Sequence, residues 1–496
     1  MPPGAPSSSD PHVRRLARAV LMPGFVGLTA PDWLRREVDR GLGGVRLVAD
    51  NVGTDVAALT WDLHGIRPDL VVSSDEEGGE VTLLDAARGS AWPTHGALGR
   101  VDDVVATGAV AAGIGRRCRD QGIDLALAPD VDLVSDADNP VTGLRSFGAD
   151  PALVARHAVA FVAGMQGLGV AACARHFRGH GGSPADSSPE TTDHDLDPLD
   201  AVISAGVRAV LATQAGVGEG EHGMATLSPE VLEVLRGDLG FSGLVVCDAV
   251  DLPASASLLG RGPGAAAALA AGVDLVGVSH PHHPTPDDDE AAFHEVHGAV
   301  LAAVDSGALR VDRLEEAARR VAELAWWVGE SRAAALAVDA GPSAADAHRA
   351  AEHVARAALV SHQVLPLTRE VHVVDLRDAP APASGPRPSW VLSELTRARP
   401  RLHLHPVGAS PEPLHAVSAA LASASDADVV VLVGSLHRSP GAAHRLARVL
   451  GARPDALVLS TGLPDDRDPL GAHWVRTWGD TPSAGRAVTS LVFPGR

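Results

Sequence analysis

Three places in this chain of 496 residues bring charged side chains to the end of a short apolar run. Asp75 follows Asp69-Leu70-Val71-Val72-Ser73-Ser74 and opens the acidic, glycine-rich stretch Asp75-Glu76-Glu77-Gly78-Gly79. Arg175-His176 follows Gly169-Val170-Ala171-Ala172-Cys173-Ala174, which carries no polar side chain. Asp248 is a single carboxylate after Gly243-Leu244-Val245-Val246-Cys247. Parallel α/β folds keep their chemistry where a buried strand gives way to loop, so these positions are candidates for ligand binding and for nucleophilic or acid–base work. Plainer roles stand beside that reading. Arg175-His176 would solvate a strand end, and Asp248 would cap the helix after its strand.

The same punctuation recurs along the chain and defines the elements that must hold these residues. Further apolar strands are expected at Gly44–Ala49, Leu125–Ala128, Val207–Ala212 and Asp274–Val278, each ending in polar residues. Helices are expected between them. The clearest starts after Asp150, a natural N-cap followed by Pro151, and repeats apolar residues at Val154, Ala158, Phe161, Val162 and Met165, one face of a helix. Val13 to Met22 also has helical spacing. Strand–helix alternation predicts a parallel sheet with helices outside. Seven visible strands and one hidden strand make an α/β fold of the (β/α)8 TIM-like barrel type; a doubly wound open sheet is the competitor. The barrel is preferred because polar residues end every strand rather than one switch point. A Gly341-Pro342-Ser343 break leads to a smaller α/β open-sheet domain, with strands at Val371–Leu376, Val429–Val433 and Ala456–Ser460. The expected boundaries are a disordered tail over 1–12, a barrel over 13–332 and the second domain over 345–496.

Composition narrows the partners. A net charge of −21 argues against nucleic acid and anionic membranes. No apolar run reaches the ~18 residues of a membrane helix, and the apolar run after Arg14-Arg15 is broken by Arg18, so neither a membrane span nor a signal peptide is expected. Cys118, Cys173 and Cys247 lack metal spacing and read as reduced thiols of a cytoplasmic protein. The chain has no Lys and no Tyr, so every fixed cation is Arg.

Six pieces in order carry a family resemblance: Leu21-Met22-Pro23-Gly24-Phe25, Asp75-Glu76-Glu77-Gly78-Gly79, Arg145-Ser146-Phe147-Gly148-Ala149-Asp150-Pro151, Arg175-His176-Phe177-Arg178-Gly179-His180-Gly181, Ala225-Thr226-Leu227-Ser228, and Gly240 to Asp248. The chain resembles glycoside hydrolase family 3, in particular its bacterial two-domain β-N-acetylhexosaminidases. That resemblance implies removal of a terminal β-linked sugar, N-acetyl-β-glucosaminide first, by a retaining mechanism with Asp248 as nucleophile. It implies Asp75, Arg145, Arg175 and His176 as substrate contacts, a small carbohydrate as partner and no cofactor. The family has Lys where Arg175 stands. It has its acid/base His where this chain has Ser188, which leaves His194 or Asp186 to donate the proton. Leu83 and Gln214 replace a common Arg and a common His. A catalytically impaired relative that binds a sugar or a protein, and a β-glucosidase-like enzyme, are therefore alternatives.

No metal site is expected. His280, His282 and His283 with Asp287-Asp288-Asp289 are interrupted by Pro281 and Pro284 and read as solvated loop. No Gly-x-Gly-x-x-Gly run follows a strand of the second domain, which gives a nucleotide site no support.

Overall fold

The structure is a computed structural model and describes residues 7–494 apart from 54, 135–138, 140, 178, 180–195, 214–223, 251–258, 279–288, 339–340, 378–388 and 466. Asp186, Ser188, His194, Gln214 and the 280–288 histidine-rich stretch lie outside the described residues. The chain divides into two compact units. The first comprises Met1–Glu77, Thr107–Leu133 and Asp150–Ala344, and the second comprises Gly78–Ala106, Val134–Ala149 and Ala345–Arg496. Two segments expected within the barrel, 78–106 and 134–149, thus cluster with the C-terminal part.

The first unit is a nearly closed barrel of eight parallel strands: β1 Leu21–Pro23, β2 Gly44–Arg46, β3 Val71–Ser74, β4 Leu125–Ala126, β5 Ala171–Phe177, β6 Ala209–Ala212, β7 Leu244–Cys247 and β8 Leu275–Val278. Consecutive strands pair from β2 to β8, and β8 pairs with β1. The hidden strand of the sequence reading is β1. It overlaps the end of the run Val13–Met22, whose helix ends at Ala19, and three residues are too few to show a period of their own. Gly43 explains how β2 reaches β1: a Cβ there would lie 2.0 Å from the Ala19 carbonyl oxygen. The same helix begins at Pro11, inside the stretch expected to be a tail. Asp10 caps it by accepting from the His12 amide at 2.8 Å, and Asp305 accepts from the Ser8 amide at 2.8 Å.

Period-two alternation in the strands sorts side chains between the barrel interior and the helices outside. Val71, Leu125, Ala171, Cys173, Ala209, Leu211, Leu244, Val246 and Leu275 form one buried cluster, which Val321, Leu324 and Val328 of the helix Val311–Ala337 join. Each fully buried Val or Leu contributes about 1.5–3 kcal/mol. The helix Pro151–Gln166 has the expected Asp150 N-cap and buries the expected face, Val154, Ala158, Phe161, Val162 and Met165.

The second unit holds a six-stranded sheet: β9 Val360–His362, β10 Val371–Asp375, β11 Leu402–Pro406, β12 Asp428–Val433, β13 Leu457–Ser460 and β14 Trp474–Arg476. The order is β9-β14-β13-β12-β10-β11, parallel except for β9 against β14. Val429, Val431 and Val433 pack on one face, while Val430 and Leu432 pack on the other. Burial on both faces is why this strand reads as an unbroken apolar run. Strands β9 and β11 escaped the sequence reading because exposed edges such as Leu402-His403-Leu404-His405-Pro406 lack such a run, and β14, paired on both sides, is only three residues long.

Candidate active site

The interior-facing parity that builds the barrel core also builds its mouth. Ala171 and Cys173 lead to Arg175, Leu244 and Val246 lead to Asp248, Val71 and Ser73 lead to Asp75, and Gly44 leads to Arg46. Two residues per repeat therefore aim all four charged side chains into one space above an apolar plug. Gly277 of β8 lets the end of β7 come close, since a Cβ there would lie 2.9 Å from the Ala249 amide nitrogen.

The four residues form a continuous ion-pair chain. Arg175 Nη1 donates to Asp75 Oδ1 at 2.5 Å, and Arg46 Nη2 donates to Asp75 Oδ2 at 2.9 Å. The other nitrogen of the Arg46 fork, Nη1, donates to Asp248 Oδ1. Arg175 Nε donates to Glu77 Oε1 at 2.8 Å, and its Nη2 donates to the same oxygen. Three carboxylates around two guanidiniums leave the cluster with one net negative charge. Planar guanidinium forks are suited to this bridging in a way an ammonium is not.

Burial by itself would raise both aspartates. For Asp75, the Arg46 and Arg175 charges outweigh it and hold the carboxyl well below the usual carboxylate range. For Asp248, Arg46 does the same against burial and against the neighbouring Asp75 charge. Both guanidiniums are in turn pushed upward by their carboxylates despite burial. The thiol beneath, Cys247, is pushed up to about 12 by burial and is inert as a nucleophile.

Strand β5 runs through the Arg175-His176 pair to Phe177, so the pair lies within the strand and not at the start of a loop. The ladder continues because the segment after β4 extends alongside it. Arg175 N donates to the Pro129 carbonyl at 3.0 Å, and the Arg175 carbonyl accepts from Val131 N at 2.6 Å. The register against β6 shifts between Arg175 and Phe177. Asp132 then holds His176 twice: Oδ1 accepts from the His176 backbone amide at 3.1 Å, and Oδ2 lies 2.9 Å from the ring Nδ1. A carboxylate only accepts, so Nδ1 carries the proton of that bond.

Of the residues singled out from sequence, Asp75, Arg175, His176 and Asp248 come together at the barrel mouth. Arg145 belongs to the second unit, where its carbonyl lies 2.6 Å from His95 Nδ1 and its Nη1 donates to the Val141 carbonyl at 3.3 Å. Leu83 belongs to the second unit as well. The sequence reading missed Arg46, Glu77 and Asp132. A signal for Arg46 was present: it is a lone charge inside Gly44-Val45-Arg46-Leu47-Val48, a run that must be buried. Glu77 and Asp132 carried the weaker signal of i, i+2 spacing from Asp75 and Asp130.

Comparison with known proteins gives this geometry a context. Residues 48–324 match the model of the glycosyl hydrolase family 3 N-terminal domain. The chain is 32% identical over 379 residues to a "Beta-N-acetylglucosaminidase/beta-glucosidase" from Cellulomonas fimi, with 69% of this chain and 65% of that protein aligned. The chain thus spans just under two thirds of that relative's length. It is 33% identical over 313 residues to a "Beta-hexosaminidase" from Stenotrophomonas maltophilia, covering 58% of this chain and 90% of that one. A solved structure of a glycoside hydrolase family 3 beta-N-acetylglucosaminidase from Paenibacillus sp. aligns with a TM-score of 0.82 at 27% identity, covering 97% of this chain and 96% of that chain.

Proposed function

The chain belongs to glycosyl hydrolase family 3, and on that premise we propose that it removes a terminal β-linked sugar, N-acetylglucosamine first, from a small saccharide by a retaining mechanism. Asp248 is the nucleophile of this reading. Its carboxylate attacks the anomeric carbon as the leaving oxygen departs, and water then cleaves the glycosyl ester. The observation that carries the reading is the Arg46 fork spanning Asp75 and Asp248 at one barrel mouth. It keeps Asp248 ionised, as a nucleophile requires, and sets Asp75 beside it to accept sugar hydroxyls. Arg175, held by Asp75 and Glu77, supplies donors to the same sugar, and His176, fixed through Nδ1 by Asp132, presents its other ring nitrogen Nε2 to it.

A retaining reaction also needs a proton for the leaving group. With Ser188 where the family has its acid/base His, His194 is the proposed donor and Asp186 the reserve. Arg145 is kept as a proposed substrate contact by resemblance. The names of the relatives support N-acetylglucosaminide as substrate, and the double name of the Cellulomonas protein supports a second reading in which β-glucosides are also accepted. Among the described residues no helix is long and apolar enough to cross a membrane. Three buried free cysteines support a cytoplasmic setting, and the net charge of −21 supports a small carbohydrate rather than nucleic acid as partner.

The test is turnover of p-nitrophenyl N-acetyl-β-glucosaminide, the corresponding β-glucoside and chitobiose. Asp248→Asn is expected to reduce all three to background in a chain that still folds, with a melting temperature lowered only by the loss of the ion pair to Arg46. His194→Ala is expected to slow chitobiose ~10²–10⁴-fold and the nitrophenyl sugar far less, because a nitrophenolate leaves without a proton. Comparable turnover by Asp248→Asn would reject the nucleophile. A folded wild-type protein that binds these sugars and cleaves none would favour the impaired-relative alternative.

A further inference from the structure

The second unit carries a cluster of imidazoles that the glycosidase reading does not use. Glu370 precedes β10 and lies two residues before His372, so both point to one face of the strand. His403 pairs with His372 across the β10–β11 ladder, and His405 follows two residues later on the same face. Four candidate ligand side chains therefore share one face of two neighbouring strands at the sheet edge.

Their polar atoms lie within hydrogen-bonding reach of one another. One ring nitrogen of His372, one of His403 and one carboxylate oxygen of Glu370 lie within 4.8 Å of one another. Glu370 Oε1 is 2.6 Å from His403 Nε2, and His405 Nε2 is 3.0 Å from His372 Nδ1. Two nitrogens on one tetrahedral ion with bonds of about 2.0–2.1 Å stand ~3.4 Å apart, so small side-chain adjustments suffice. The His372 ring is stacked against His403 at 4.6 Å and against His405 at 5.2 Å between centroids.

We propose that Glu370, His372 and His403, supported by His405, form a binding site for a borderline divalent transition metal, with Zn²⁺ the expected ion. Imidazole nitrogens with one carboxylate suit Zn²⁺, Ni²⁺ and Cu²⁺ and do not suit Ca²⁺ or Mg²⁺. A ligating imidazole must be neutral. The ion would act as a staple. Edge strand β11 exposes most of its residues, and only its ladder to β10 holds it in the sheet. Ligands on both strands tie the edge strand to the sheet.

The test uses the full chain, purified without a polyhistidine tag, stripped with EDTA and titrated with Zn²⁺ by calorimetry. One high-affinity equivalent and a rise in melting temperature are expected, with no response to Mg²⁺. Loss of an outer partner alone typically costs ~10–100-fold in metal affinity. His405→Ala should therefore weaken binding by that amount, and Glu370→Gln/His403→Ala should weaken it by more. His403 and Glu370 are half-exposed, so the double variant is expected to fold, which circular dichroism checks. His282→Ala/His283→Ala should leave binding unchanged. No Zn²⁺ binding by the wild-type chain, undiminished binding by the Glu370/His403 variant, or loss of binding in the His282/His283 variant would overturn the proposal.

Discussion

Arg46 links the two aspartates of the candidate site, so its loss is predicted to change both the pH profile and the stability. It is a buried cation whose two terminal nitrogens serve two different aspartates. Arg46→Met keeps much of the volume and removes the charge. Asp75 and Asp248 then keep the burial that raises their carboxyls and lose the Arg46 charge that opposes it, with Arg175 still beside Asp75. The acid limb of the kcat/KM profile is expected to move to higher pH. Breaking a buried pair costs about 3–5 kcal/mol. The lower end applies, because the two aspartate side chains remain 30% and 27% exposed. The sign of the pH dependence follows from linkage. A carboxyl depressed in the folded state stabilises fully above its unfolded pKa of about 3.9 and loses that contribution as pH falls through the folded value. The stability gap between wild type and Arg46→Met should therefore narrow below about pH 4. A gap that stays constant with pH in denaturant titrations would show that Arg46 acts through packing alone.

At the scale of elements, the two ends of the barrel use carboxylates differently. Asp274, just before β8, is fully buried at the end of the strands opposite the candidate site. Its Oδ2 accepts from the Val245 amide at 2.9 Å and from Arg236 at 2.6 Å, while Oδ1 accepts from Arg313 and, at 3.1 Å, from Arg320. It ties β7 and β8 to the helix that contributes to the barrel plug. Asp124 does the same before β4, accepting from the Val72 amide at 2.9 Å and pairing with His64 and Arg332. Asp274→Ala removes a buried carboxylate from three cations, of which Arg313 and Arg320 keep Glu316, and is expected to cost about 3–5 kcal/mol. The melting temperature of the variant checks this, with turnover per folded molecule unchanged. A melting temperature equal to that of wild type would contradict the structural role. These elements were legible because a strand buried on both faces is an apolar run, and seven of the eight barrel strands announce themselves that way. The exception, β1, is masked by the helix before it. The continuation of β5 through Arg175 and His176 was not legible, because the hydrogen bonds that extend it come from Pro129 and Val131.

At the scale of the whole molecule, apolar runs in the sequence pointed to Asp75, Arg175 and Asp248, because period-two alternation carries the interior face directly into the mouth of a barrel. Partners that come from other strands were harder to read. Arg46 meets Asp248 across 202 positions of sequence, and His372 meets His405 across 33, separations that no local pattern encodes. The allocation of 78–106 and 134–149 to the second unit likewise depends on contacts distant in sequence. All of the proposed chemistry converges on a covalent bond between Asp248 and the sugar. The most direct measurement is to incubate the wild-type chain with a fluorinated N-acetylglucosaminyl fluoride whose glycosyl ester turns over slowly, weigh the intact protein and map the label. The account predicts a mass increase of one glycosyl group per chain, carried by the peptide containing Asp248 and absent in Asp248→Asn. A label on any other carboxylate, or turnover that inverts the anomeric centre with no label at all, would contradict it.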